Sequence, residues 1–207
     1  MKPNSPQQHL QQQVREHMLA AVRAIVEPGT VVELRAIDVP AERSSFTQAW
    51  AGYFNDPEAM VNAAVMLDGK KAPGIYITPN PVRPDLLARC SNRVKAAGKK
   101  DSITHDVDIV SRRWLLVDVD PKRPSGISSS DSERAAAVEV VGRVKSFLAA
   151  SGWSAPIEAD SGNGFHLMYR VALPNDEANT DLIARCLRAL AAQFSTPEAA
   201  VDTTVSN

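Results

Sequence analysis

Two aspartates one residue apart, Asp118 and Asp120, sit at the end of the apolar run in WLLVDVD. A carboxylate there is costly to bury unless something compensates its charge. Downstream, SGNGFHLMYR supplies Ser161, Gly162, Asn163, Gly164 and His166, and VDTTVSN supplies Asp202. Alternate residues of a strand point to opposite faces. If Leu115, Val117 and Val119 lie under helices, then Asp118 and Asp120 emerge on the other face. The same reasoning places His166 opposite Phe165, Leu167 and Tyr169, and Asp202 opposite Val201, Thr203 and Val205. Three carboxylates gathered on one face repel one another. A divalent cation relieves that repulsion, and hard oxygen ligands suit Mg²⁺ or Mn²⁺.

Each signal has a plainer reading. A lone DxD at a strand end is often a loop entry, and a lone strand histidine is usually structural. Glu158 and Asp160 also alternate on a strand and are rival ligands. SGNG is a hairpin turn that needs its glycines. It is also a loop whose small residues let backbone N–H groups approach an anion, with Ser161, Asn163 and His166 able to donate. The conjunction on three separate strands favours a metal site beside a triphosphate-binding loop.

The surrounding pattern must position these groups. A chain of 207 residues with 44% hydrophobic and 23% charged residues suits one large or two small globular domains. The formal net charge of −1 excludes a global basic signature, so basic patches are read locally. Residues 83–100 carry Arg83, Arg89, Arg93, Lys95, Lys99 and Lys100 against only Asp85, and Arg112, Arg113, Lys122 and Arg123 flank the aspartate strand. They are read either as solvated surface or as a groove tracking a single strand of nucleic acid. Trp50, Tyr53 and Phe54 could stack on bases, but core packing is the favoured assignment. Cys90 and Cys186 are too few and too far apart for a disulfide framework or a zinc site and are read as buried free thiols. No apolar run is long enough for a membrane span and no signal-peptide pattern appears, which predicts a cytoplasmic protein without a membrane partner.

Periodicity predicts a helix over 10–26 with Leu10, Val14, Met18, Val22 and Ile25 on one face, a strand over 31–37, and a helix capped by Asp56 with Pro57 at its first position. A strand over 74–78 and a helix over 85–97, with Leu86, Leu87, Cys90 and Val94 inward, complete the first part. The second part reads as a strand over 113–120, a helix opened by the capping box Ser130–Glu133, a hairpin through SGNG, a helix over 178–194 with Leu182, Cys186, Leu190 and Phe194 inward, and a last strand AAVDTTV. The fold class is therefore α/β (α+β). The β-α-β-β-α-β series is the ferredoxin-like, or RRM-like, pattern, with two helices on one sheet face and the other face open. The expected organisation is an arm at 1–29, an α/β module at 30–104 and the RRM-like module at 105–207.

Over about residues 30–207 the chain resembles the archaeo-eukaryotic primase superfamily, in particular the primase-polymerase domains of phages, plasmids and other mobile elements. The resemblance rests on DVD (Asp118, Asp120), SGNGFH (Ser161 to His166), VD (Asp202) and the upstream GIYITPNPV. The second motif departs from the shortest family form by carrying three residues between Gly162 and His166. The resemblance implies an RRM-like catalytic module packed with an N-terminal α/β module. It implies a nucleotidyltransferase, a DNA primase and polymerase using NTPs or dNTPs on a single-stranded DNA template, often working with a helicase. Asp118, Asp120 and Asp202 would be the catalytic ligands of two Mg²⁺ or Mn²⁺ ions, and Ser161, Gly162, Asn163, Gly164 and His166 would grip the triphosphate. Family members continue past the equivalent of Asp202, which here lies five residues from the end. A fragment or natural truncation with a fraying last strand and weak catalysis is therefore expected. Two other readings stay open: a non-catalytic nucleotide- or nucleic-acid-binding module such as a replication initiator, and another DxD metal enzyme such as a glycosyltransferase.

Overall fold

The computed structural model describes residues 6–41, 46–98, 103–123 and 128–205, with side chains from residue 9 onward. Lys99 and Lys100 of the basic run, and the first five residues of the arm, lie outside them. The chain divides into two compact units, Met1–Val110 and Ser111–Asn207. Among the described residues no helix is long and apolar enough to cross a membrane.

The first unit opens with helix α1 (Pro6–Ile25), followed by strands β1 (Val32–Pro40) and β2 (Thr47–Phe54), helix α2 (Pro57–Gly69) and strand β3 (Gly74–Ile77). A short 3₁₀ helix at Pro84–Arg89, strand β4 (Lys95–Ala96) and a second 3₁₀ turn at Asp106–Asp108 complete it. The antiparallel sheet runs β3-β1-β2-β4. Asp56 caps α2 by accepting from the N–H groups of Glu58 and Ala59, and Pro57 fills the first turn, where its missing N–H costs nothing. Val32, Leu34 and Ala36 meet Met60, Ala64 and Leu67 in the core. On the opposite face of β1 the buried Glu33 carboxylate takes Arg35 as its partner at 2.6 Å. Phe54 and Tyr53 are buried, in line with their assignment to packing, while half-buried Trp50 lies under the Lys70 ammonium.

Two helix readings need correction in this unit. Residues 85–97 are not one helix. The backbone leaves the 3₁₀ turn at Cys90, whose carbonyl accepts from Tyr53 N–H, and Asn92 adopts a left-handed φ of 49°. The amide of Asn92 then donates to Tyr53 O and its side-chain oxygen accepts from Asn55 and Asp56. A strand edge and a helix start have captured the segment. In α1 the inward stripe begins only at Met18, because Leu10 and Val14 are 61% and 48% exposed.

The second unit consists of strand β5 (Ser111–Pro121), helix α3 (Asp131–Ala150), strands β6 (Ile157–Asp160) and β7 (Phe165–Pro174), helix α4 (Glu177–Phe194) and strand β8 (Ala199–Val201). The antiparallel sheet runs β6-β7-β5-β8, so the longest strand, β5, is interior. Leu115, Val117 and Val119 of β5, with Leu167 and Tyr169 of β7, meet Val140, Val144 and Leu148 of α3 and Ile183, Leu187 and Leu190 of α4. The capping box at α3 is formed: Ser130 Oγ accepts from Glu133 N–H and the Glu133 carboxylate accepts from Ser130 N–H. In α4 the inward stripe is Ile183, Leu187, Leu190 and Phe194. Leu182 is 45% exposed and Cys186 only half-buried, so the stripe is rotated by one residue from the expected one. Cys90 is buried, and Cys186 is not fully so. The last strand ends at Val201, and Asp202 follows it, just before a bend at Thr203 and Thr204.

Candidate active site

Residues paired across antiparallel strands share a sheet face. Asp118 on β5 pairs with His166 on β7, and His166 pairs with Ala159 on β6. On the other side of β5, Val119 pairs with Val201, and Asp202 N–H donates to Asp118 O at 2.8 Å. The interior carboxylate is thus flanked by a histidine on one neighbouring strand and by a second aspartate just past the end of the other. The pleat does this because Leu115, Val117 and Val119 must face α3 and α4, which turns Leu116, Asp118 and Asp120 the other way. That face is not bare: Trp114 and Met168 on it are each 7% exposed.

Asp118 carries the perturbed electrostatics of the site. Its carboxyl is raised from an ordinary 3.8 to about 6, chiefly by burial. The charge of His166 opposes the rise, while those of Asp120 and Asp202 add to it. His166 Nε2 lies 3.4 Å from Asp118 Oδ1, close enough for an ionic contact. The pair is not aligned as a hydrogen bond, and Asp118 Oδ1 is covered without a donor. A covered, donorless carboxylate oxygen among like charges is an electrostatic debt that a cation would settle.

Asp120 is exposed and its carboxylate rests on Gly164. A Cβ at position 164 would also stand 2.7 Å from Val119 O, so only glycine allows the hairpin to close against β5 here. Asp202 is half-buried, and its Oδ1 accepts from Thr204 N–H at 2.7 Å and from the Thr204 hydroxyl at 2.8 Å. The three carboxylates are neighbours in register, but they are not drawn into one ligand shell. Among the described residues no group of three or more His, Cys, Asp or Glu side chains is gathered to hold a metal ion. The donor chemistry, hard oxygens around an orphaned buried atom, fits a divalent cation; a preformed cage is not present.

The rival carboxylates are on the wrong face. Glu158 pairs with Leu167 and Asp160 with Phe165, both turned toward the helices. Lys145 of α3 holds Glu158 at 2.5 Å, and Arg134 of α3 binds Asp160 through both guanidinium nitrogens.

The loop from Ser161 to Gly164 is internally bonded. Ser161 Oγ accepts from Gly164 N–H at 2.8 Å and donates to Gly164 O at 3.1 Å. Gly162, at φ +82°, donates its N–H to Asp160 Oδ1 at 2.8 Å, and Asn163 Oδ1 accepts from Ser129 N–H. Ser161 and Gly162 are exposed, Asn163 and His166 half-buried, and Gly164 buried. The loop's N–H donors that were expected to face an anion are therefore directed at the hairpin's own groups: Gly162 at the Asp160 carboxylate, Gly164 at Ser161 Oγ and Ser161 at Gly164 O.

The basic residues do not form one feature. Arg83 contacts Asp85 at 3.3 Å and Asp108 at 3.6 Å. Arg89 and Lys95 line a pocket of about 380 Å³ with Glu33, Tyr53 and Cys90. Arg93 is exposed, and its carbonyl lies against Gly52. Arg112 corrects the expectation for it. It is 4% exposed and donates to Thr180 Oγ1 at 2.7 Å, so it ties β5 to α4 and does not track a ligand backbone. Arg113 is half-buried. Arg134, which the sequence reading passed over, reaches the loop; the available signal was pleat parity, which turns Asp160 toward the start of α3.

Comparison with protein-family models, with curated proteins and with solved structures finds no match to this chain.

Proposed function

We propose that residues 111–207 form an RRM-like nucleotidyltransfer module and that the chain is a primase-polymerase acting on a single-stranded DNA template with NTPs or dNTPs. One observation carries the reading: Asp118 is flanked in register by His166 and by Asp202, with its own burial holding its carboxyl near 6. The element series β-α-β-β-α-β, with the two motif strands β5 and β7 adjacent in the order β6-β7-β5-β8, supports it.

In this reading Asp118, Asp120 and Asp202 hold Mg²⁺ or Mn²⁺. When bound, such ions neutralise charge at the attacking 3′-hydroxyl and the departing pyrophosphate. The chain's own residues orient the reactants. His166, beside Asp118, donates to a phosphate oxygen, and the Ser161–Gly164 loop seats the triphosphate once its N–H groups exchange internal partners for phosphate oxygens. Positioning and charge compensation supply the rate enhancement.

A second reading, a nucleotide-binding module without catalysis, is favoured by two details: the carboxylates are not gathered into a ligand shell, and the loop's donors are satisfied internally. The two part on incubation with a primed template, labelled dNTPs and Mn²⁺. Extension supports the enzyme. Nucleotide binding with no extension supports the module, and the absence of both extension and binding refutes both readings.

A further inference from the structure

Besides its packing against β5, the hairpin that carries the Ser161–Gly164 loop is bound by Arg134 at the start of α3 and by Ser129 just before it. Arg134 lies one turn into that helix. Its guanidinium binds Asp160, the last residue of β6, through both terminal nitrogens, with Nη1 to Oδ1 at 3.0 Å. The same guanidinium stacks on Phe165, the first residue of β7, 4.9 Å from the ring centroid. One side chain therefore grips both stems of the loop. Asp160 in turn accepts from Gly162 N–H at 2.8 Å, inside the loop, and Ser129 N–H donates to Asn163 Oδ1 at its tip. Asp160 is held at about 2 by these two donors, Arg134 foremost, so it is a carboxylate at any pH of interest.

We infer that Arg134 is a positioning residue for this loop: acting through Asp160 and Phe165, it fixes the backbone of Gly162 and Gly164 and so sets affinity for the phosphates of an incoming nucleotide without touching them. The inference rests on the reading of the loop as the triphosphate-binding element. The geometry favours indirect action because Nη1 and Nη2 each bind one carboxylate oxygen of Asp160, the residue that in turn holds Gly162 N–H. The same contacts define the opposite case. If Arg134 were a phosphate ligand in waiting, Asp160 would be its competitor, and removing Asp160 would strengthen binding.

The test has a ligand-free arm and a ligand arm. Without ligand, amide hydrogen exchange at Gly162 and Gly164 is measured for the wild type, Arg134→Ala and Asp160→Ala. Both substitutions should speed exchange at these amides and leave the β5 amides Val117 and Val119 protected. Unchanged exchange in Arg134→Ala overturns the inference whatever the loop binds. In the second arm inorganic tripolyphosphate is titrated. Each single variant should bind about two- to fivefold more weakly, the range of a well-formed exposed ion pair. The double variant should lose less than the two single losses combined, because the Arg134–Asp160 contact is common to both. Arg134→Lys, which keeps the charge without the two-nitrogen grip, should recover part of the loss. Tighter binding by Asp160→Ala, or additive losses in the double variant, overturns indirect action. A wild-type chain that binds no tripolyphosphate refutes the phosphate-loop reading, and the exchange arm still decides the role of Arg134.

Discussion

Replacing Asp118 with Asn should stabilise the protein at neutral pH and do little in acid. Burial lifts the Asp118 carboxyl from 3.8 to about 6, Asp120 and Asp202 adding to the lift and His166 opposing it. An acid with a folded pKa above its unfolded one binds more protons in the folded state between the two values. Stability therefore falls as pH rises through that window, from about 4 to about 6, and stays low above it. The two values differ by about two pH units at about 1.4 kcal/mol each, so ionised Asp118 costs the fold at most about 3 kcal/mol at neutral pH. The side chain is only 16% exposed, so solvent relieves little of this. Asparagine keeps the shape and removes the charge. The assay is urea unfolding of both proteins, in EDTA, at about pH 4 and about pH 8. Asp118→Asn should be more stable by about 1–3 kcal/mol at the higher pH and equal to the wild type at the lower. Mn²⁺ should then raise wild-type stability and leave the variant unmoved. Equal stabilities at the higher pH, or a less stable variant, would refute the argument that this carboxylate is held at a cost. A residue that costs stability is the kind retained for function.

Gly164→Ala should destabilise by about 1–3 kcal/mol, because the new methyl meets Val119 O and the Asp120 carboxylate; a urea midpoint unchanged from wild type would count against the tight hairpin. Arg35→Ala strips the partner from buried Glu33 and should cost about 3–5 kcal/mol at neutral pH, measured by the same unfolding assay, with Arg35→Ala/Glu33→Gln recovering much of it. Ser130→Ala removes the α3 cap and should cost about 1 kcal/mol, read as a drop in Tm; no drop would mean that the box contributes nothing to helix stability.

What could be read from the sequence was what local chemistry dictates. The Asp56 cap and the Ser130–Glu133 box need only neighbours in the chain, and the sorting of Leu115, Val117 and Val119 from Asp118 and Asp120 needs only the pleat. What escaped depended on distant partners. Residues 85–97 have an apolar spacing that suits a helix, yet hydrogen bonds to Tyr53 and the cap at Asn55 and Asp56 draw Cys90 and Asn92 away from it. In α4 both Leu182 and Ile183 could face inward, and only the packing of β5 and β8 selects Ile183. Arg112 looked like surface because arginine usually is; Thr180, 68 residues away, buries it. The faces of Asp118 and His166 followed from alternation, but Asp160 stayed open as a rival ligand, and the grip of Arg134 on it requires knowing where α3 begins relative to the hairpin.

Template-directed nucleotidyl transfer by the Asp118–His166–Asp202 row, as we propose it, is checked by single-nucleotide incorporation. A primed template offering one defined base is given each dNTP separately with Mn²⁺, using the wild type and Asp120→Ala, the latter checked as folded by circular dichroism. The wild type should add only the complementary nucleotide, and Asp120→Ala should add none. A wild type that adds nothing, or an Asp120→Ala variant that adds nucleotides at the wild-type rate, would contradict the proposal.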